Sequence, residues 1–195
     1  MLTLILDTAS RYLNIGILND DEIIVNYSVE ANKRQSEITM STIQKLFNQH
    51  QLSVKDIESV VITKGPGSYT GVRIAMTIAK VFCAFKPATL YTVNTLHAYV
   101  GNKTGFALMD ARAKRVFCAA YENGVEVLAP TIKKIEEITV DGPLYGDAYV
   151  LNKESLAVDV ISNIVAIKQY WEKIEDIDAL TPLYLKENET YGSTN

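Results

Sequence analysis

The chain has 195 residues, with 19 Lys and Arg against 23 Asp and Glu, a formal charge of −4, and 48% hydrophobic residues. This length suits one large domain or two small lobes, and the near-neutral balance excludes a global field that would hold nucleic acid. No apolar run reaches the length of a membrane span, the first seven residues lack a basic start, and the expectation is a cytoplasmic protein without a signal peptide.

In chain order, residues 2–6 are apolar on both faces, like a central strand, and end at Asp7-Thr8-Ala9-Ser10. Leu13, Ile15 and Ile17 then alternate with other side chains, a turn follows at 19–21, and Ile23, Val25, Tyr27 and Val29 alternate again. This pattern predicts an antiparallel meander of three strands. Residues 36–50 read as a helix with Ile38, Met40, Ile43, Leu46 and Phe47 roughly on one side. A strand over 59–63 leads into Lys64-Gly65-Pro66-Gly67-Ser68-Tyr69-Thr70-Gly71-Val72-Arg73. Gly65 and Gly67 suit a tight turn around Pro66, and Ser68 or Thr70 suits a helix cap. Arg73 in the first turn opposes the helix dipole, which suggests that it holds an anion or meets a carboxylate, such as Glu37 or one on a partner.

The helix over 70–85 has a thin polar stripe, Arg73, Thr77 and Lys80, and a stripe of small residues four apart, Gly71, Ala75, Ala79 and Cys83. So little polar surface calls for cover on two sides, one from its own sheet and one from the first helix or from another chain. A strand over 90–93 and a short helix over 94–101, capped by Asn94 or Thr95, complete the first half. Cys83 and Cys118 stand in apolar stretches without CxxC spacing and read as buried reduced thiols.

The pattern then repeats. Residues 106–112 form an apolar strand ending at Asp110-Ala111-Arg112, 116–121 a second strand, Glu122-Asn123-Gly124 a hairpin turn, and 125–128 a third strand. A poor helix over 131–137, a strand over 143–146 and a helix over 162–174 carrying Ile164, Ile167, Trp171 and Ile174 follow. Asp7 and Asp110 take equivalent places. Two tandem ββαβα-type lobes, over 1–100 and a reduced 101–195, fit the duplicated α/β fold of actin, Hsp70 and sugar kinases. In that fold a strand-end aspartate handles magnesium or phosphate and the next turn offers N–H groups. The candidates for nucleotide contact are accordingly Asp7, Thr8, Ser10 and Asp110; read plainly, the two aspartates merely bond their own turns.

Ile5-Leu6-Asp7-Thr8-Ala9-Ser10, the Lys64-to-Ile74 stretch, Met109-Asp110-Ala111-Arg112, Phe117 and Pro182-Leu183-Tyr184-Leu185-Lys186 together resemble the bacterial TsaB (YeaZ) family of tRNA threonylcarbamoyladenosine biosynthesis proteins. The resemblance implies a duplicated actin-like ATPase fold. It also implies a non-catalytic scaffold that heterodimerises with a TsaD-like catalytic subunit, works with a TsaE-like ATPase, and meets tRNA through that complex. Its partner contacts would run through the helices over 36–50 and 70–85, here Ser36, Ile43, Phe47, Gly71, Arg73, Ala75, Ile78, Ala79 and Phe82. Without the partner, a homodimer is expected. Gln35 stands where the family usually has His, and the chain is shorter than most members after Leu128.

No metal site is expected, because His50 and His97 lie far apart and read as surface or helix-end residues. A peptidase would need His97 beside Ser10 or Ser68, and no nucleophile-elbow pattern supports it. An independent nucleotide-dependent enzyme would have to bring phosphate past Ala9-Ser10-Arg11-Tyr12 and Ala111-Arg112-Ala113-Lys114, where side chains replace the expected glycines. No cofactor of its own is expected, with ATP or ADP shared at the partner boundary the exception kept open. Arg112, Lys114 and Arg115, and Lys33 with Arg34, read as solvated turns rather than a tRNA platform.

Overall fold

The computed structural model describes residues 1–31 and 33–185; Asn32 and residues 186–195, including Lys186 of the terminal motif, lie outside the described residues. Strands β1 (Leu2–Asp7), β2 (Tyr12–Asn19) and β3 (Glu22–Glu30) form the expected meander. Helix α1 (Gln35–Gln49) leads to β4 (Ile57–Thr63), which pairs parallel to β1 with Leu6 opposite Ile62. Helix α2 (Tyr69–Phe85) and β5 (Thr89–Val93) follow, β5 parallel to β4, and then α3 (Thr95–Val100). The second lobe repeats the scheme with β6 (Gly105–Arg112), β7 (Arg115–Glu122) and β8 (Val125–Lys134) antiparallel, and β9 (Leu144–Gly146) parallel to β6. Helix α4 (Val160–Ala166) and the short β10 (Glu172–Lys173) end the regular structure.

The strand orders are β10-β5-β4-β1-β2-β3 and β8-β7-β6-β9. Each sheet therefore places its third, second, first and fourth strands side by side, so the internal repeat is present in the backbone. Alternation along the strands divides the core. Leu4, Leu6, Ile15, Val60 and Ile62 face α1 and α2, while Ile5, Leu18 and Val61 face α3, α4 and the second sheet.

Three expectations are corrected here. Over 131–137 the helix is reduced to a single 3-10 turn, Ile135–Glu137. Before it, β8 continues to Lys134 through Pro130, which an edge strand tolerates because its outer N–H groups need no partner. The helix expected over 162–174 ends at Ala166, and β10 leaves the second lobe to pair antiparallel with β5. Ile174, Ile177 and Leu180 then pack on the first lobe's core, so the boundary near residue 100 separates the sheets but not the whole chain. Finally, His97 is no surface residue, since it is 7% exposed inside α3, whereas His50 does sit exposed at the end of α1. Among the described residues no helix is long and apolar enough to cross a membrane.

Candidate functional site

The segment after β4 ties four parts of the molecule together. Ser68 caps α2, its Oγ accepting from Gly71 N at 3.2 Å. Ser68 N donates to the Ala9 carbonyl in the turn after β1 at 2.7 Å. Thr95 N, opening α3, donates to the Gly65 carbonyl at 2.9 Å, and Leu183 N donates to the Lys64 carbonyl at 2.7 Å. Thr8 completes the seal, with its Oγ1 donating to the Gly71 carbonyl at 2.6 Å and accepting from Ala75 N at 3.2 Å. A Cβ on Gly71 would stand 2.0 Å from the Thr8 carbonyl oxygen, so only glycine lets the helix start this close to the sheet.

That closeness decides which way α2 faces. Ala75 and Ala79 are wholly buried, Gly71 is buried, and the small stripe lies on the molecule's own sheet. Ile43, Phe47 and Phe82 also belong to this core. The expected partner contact through Ile43, Phe47, Gly71, Ala75, Ala79 and Phe82 is thereby corrected, because their surface is already spent inside the chain. Ser36 and Arg73 are exposed and Ile78 is half-buried. The outward stripe is Tyr69, Arg73, Thr77, Val81 and Phe85, a slanted row four residues apart. Phe85 is 73% exposed, Val81 62%, Tyr69 60%, and Met40 on the adjoining α1 51%. Arg73 meets neither Glu37 nor another carboxylate of the described residues. Its guanidinium lies 5.3 Å from the Tyr69 ring centre and donates to Tyr69 Oη at 3.0 Å, while Tyr69 stacks on Tyr184 at 5.3 Å. Glu37 pairs with Arg34 instead, at 3.1 Å.

Between the lobes lies a cleft of about 1210 Å³, lined by the turn after β1 (Ser10, Arg11, Tyr12), Ser68, Tyr69 and, from the second lobe, Asp110, Arg112 and Asp147. Of the nucleotide-contact candidates, Ser10 and Asp110 reach it and Asp7 and Thr8 do not. Asp7 is wholly buried, accepting from Thr63 Oγ1 at 2.6 Å, Asn14 Nδ2 at 2.8 Å and Ala9 N at 3.1 Å. Burial pushes its carboxyl above the usual carboxylate range, against these three donors, which favour the charged form. Asp110 bonds its own turn, with Arg112 N donating to it at 2.7 Å, and lies within 3.4 Å of the Tyr149 hydroxyl.

Asp147 and Tyr99 were not legible as site residues. Asp147 accepts from Asp110 N at 3.0 Å, and burial raises its carboxyl while Arg11, across the cleft, opposes that rise. Tyr99, 6% exposed, has its hydroxyl pushed up by burial and then by the charge of Asp7, while Ser10 opposes that rise. The signal for Asp147 was its place directly after the strand parallel to β6, where Ser68 stands near the end of the loop after β4. The residues present do not compose a phosphate and magnesium site of the fold's usual kind. The first strand-end carboxylate is sealed away from the cleft, and Ala9 N, Tyr12 N and Arg112 N are already donating to Asp7, Ser10 and Asp110. His97 lines a different cavity from Ser10 and Ser68, so no peptidase triad assembles from them. Among the described residues no three His, Cys, Asp or Glu side chains come together to hold a metal ion.

A family model described as TsaD, tRNA N6-adenosine threonylcarbamoyltransferase, matches residues 27–188. The chain is 32% identical over 127 residues to the tRNA threonylcarbamoyladenosine biosynthesis protein TsaB of Bacillus subtilis, a match covering 63% of this chain and 56% of that protein's length. It is 28% identical over 191 residues to an uncharacterized Mycoplasma genitalium protein, with 94% of each covered. Among solved structures, YeaZ from Pseudomonas aeruginosa superposes with a TM-score of 0.75 at 17% identity over 94% of this chain and 99% of that one, a likeness of fold.

Proposed function

The chain belongs to the family described as tRNA N6-adenosine threonylcarbamoyltransferase (TsaD), as a TsaB/YeaZ-like member, and from that premise we propose that it serves tRNA threonylcarbamoyladenosine biosynthesis as a non-catalytic scaffold. Its partner is a TsaD-like catalytic subunit, with a TsaE-like ATPase acting on the pair. The observation that carries this reading is the outward row of α2. Val81 and Phe85 expose large apolar side chains on the face of α2 turned away from the chain's own core, and Met40 is exposed on α1. Exposed apolar side chains gathered on neighbouring helices mark a contact surface. In the absence of the partner the same face pairs two copies of the chain.

The reading is non-catalytic because the one strand-end carboxylate that the fold would use first, Asp7, is consumed by Thr63, Asn14 and Ala9. Any ATP or ADP in the complex then sits at the boundary with the partner, where Arg11, Lys33 and Arg112 of the cleft supply positive charge. The double variant Val81→Asp, Phe85→Ser tests the surface by size-exclusion chromatography with the catalytic subunit. The expected result is loss of the heterodimer with an unchanged melting temperature. A heterodimer of undiminished affinity would overturn the assignment of this face.

A further inference from the structure

Basic turns that are far apart in the sequence converge in three dimensions. Arg11 follows β1, Lys33 precedes α1 and Arg112 ends β6 in the other lobe, and all three line the cleft between the lobes. Arg11 has a loose, exposed pairing with Glu30 at 3.7 Å, and among the described residues Lys33 and Arg112 enter no ion pair. The carboxylates on the same walls are Asp110 and Asp147. Aromatic rings stand among these charges. Tyr12 is 36% exposed and Tyr69 60%, and both line the cleft. The Arg11 guanidinium lies 5.2 Å from the Tyr12 ring centre, and Tyr184 stacks on Tyr69 at 5.3 Å.

Cations set between open rings make a groove for a single nucleic-acid strand, in which phosphates meet the charges and bases stack on the rings. A mononucleotide suits this space less well. The cleft of about 1210 Å³ exceeds the roughly 300–1,000 Å³ of small-molecule sites. The turn N–H groups that would cradle a mononucleotide's phosphates already donate to Asp7, Ser10 and Asp110. Phosphates in this cleft must therefore be met by side chains.

We propose that the cleft binds an unpaired stretch of RNA, with phosphates against Arg11, Lys33 and Arg112 and bases against Tyr12 and Tyr69. That the RNA is tRNA rests on the tRNA-modification reading, and its unpaired stretches are the anticodon loop and the 3′ end. A duplex is excluded, because its bases are stacked on one another and offer the rings nothing. Tyr69 also opens the outward row of α2, so a strand leaving the cleft there passes beside the proposed partner face.

The test is fluorescence anisotropy of labelled RNAs with the full chain and no partner, so it can fail while the heterodimer stands. The RNAs are an anticodon stem-loop, an acceptor minihelix with its unpaired 3′ end, and a blunt duplex. The expected result is saturation by one or both of the first two with a Kd of about 1 to 100 μM near physiological salt, and affinity falling about fourfold per doubling of salt, as three phosphate contacts on one strand require. Saturation by the stem-loop alone identifies the anticodon loop, and by the minihelix alone the 3′ end. Arg112→Ala, Lys33→Ala and Tyr12→Leu should each weaken binding about fivefold or more. Lys45→Ala, an equal charge change at an exposed position of α1 outside the cleft, should leave it unchanged. Silence with both unpaired RNAs, equal binding of the blunt duplex, displacement by millimolar ATP, or full affinity in all three cleft variants overturns the proposal.

Discussion

The two lobes close their first strands in opposite ways. In the first, the segment after β4 folds down on the turn after β1, Ser68 N holds the Ala9 carbonyl at 2.7 Å, and Asp7 disappears from solvent. In the second, the residues after β9 also come close, with Asp147 N donating to the Leu108 carbonyl at 2.8 Å and a Cβ on Gly146 reaching within 2.4 Å of that same oxygen. But β9 is followed by a short 3-10 turn, Ala148–Leu151, rather than by a helix of the length of α2, and Asp110 stays exposed beside Tyr149 of that turn. A duplicated backbone therefore does not duplicate a site. The same aspartate at the same strand end becomes a structural anchor where a long helix is laid across it and a surface group where only a short 3-10 turn follows.

The largest test of this difference is removal of the buried carboxylate. Asp7→Ala strands three donors in the interior and should cost about 3 to 4 kcal/mol in urea unfolding. A loss below about 1 kcal/mol would place Asp7 among surface residues, against its burial. The acid also carries a sign. Its folded pKa lies above its unfolded value, so the native state holds the proton more tightly, and stability falls as pH rises from the usual carboxylate range through that raised pKa. In Asp7→Asn that downward slope should disappear from the stability profile measured in mildly acid buffers.

Next comes Gly71→Ala, whose new methyl meets a backbone oxygen rather than a flexible side chain. The helix must lift off the sheet, with an expected cost of about 2 kcal/mol. An unchanged melting temperature would mean that α2 has slack at its start. The smallest effect is expected at Asp110→Ala. It removes exposed hydrogen bonds worth under about 1 kcal/mol, and tRNA modification by the reconstituted complex should stay at the unmodified chain's level. Abolished modification with an intact heterodimer would give the second lobe a chemical role and sharpen the contrast in the other direction.

Much of this fold is legible in the sequence. Alternation marked the meander, the Asn123-Gly124 turn has the positive φ values, 50° and 77°, that such a hairpin needs, and the length of α2 followed from apolar residues that only a thin polar stripe interrupts. The direction in which α2 faces was not legible. Spacing tells which residues share a side, and a smooth stripe of Gly71, Ala75 and Ala79 suits close approach to a neighbouring helix or to a sheet equally well. The sheet wins through Thr8, whose hydroxyl bonds both Gly71 and Ala75 across a gap that larger residues would not permit. The return of β10 to β5 was hidden for a related reason. Glu172 and Lys173 form a two-residue strand too short for periodicity, positioned by Trp171, whose indole N–H donates to the Ile164 carbonyl at 2.9 Å. His97 read as a surface or helix-end residue, since a six-residue helix is too short for its spacing to show that it is covered on every side.

The proposed role is to support threonylcarbamoyl transfer without performing it. The direct measurement is the yield of threonylcarbamoyladenosine on tRNA from the TsaD-like subunit, the TsaE-like ATPase and the enzyme that supplies threonylcarbamoyl-AMP, with and without this chain. Modification is expected in its presence and only background in its absence; equal yields in both would overturn the scaffold role.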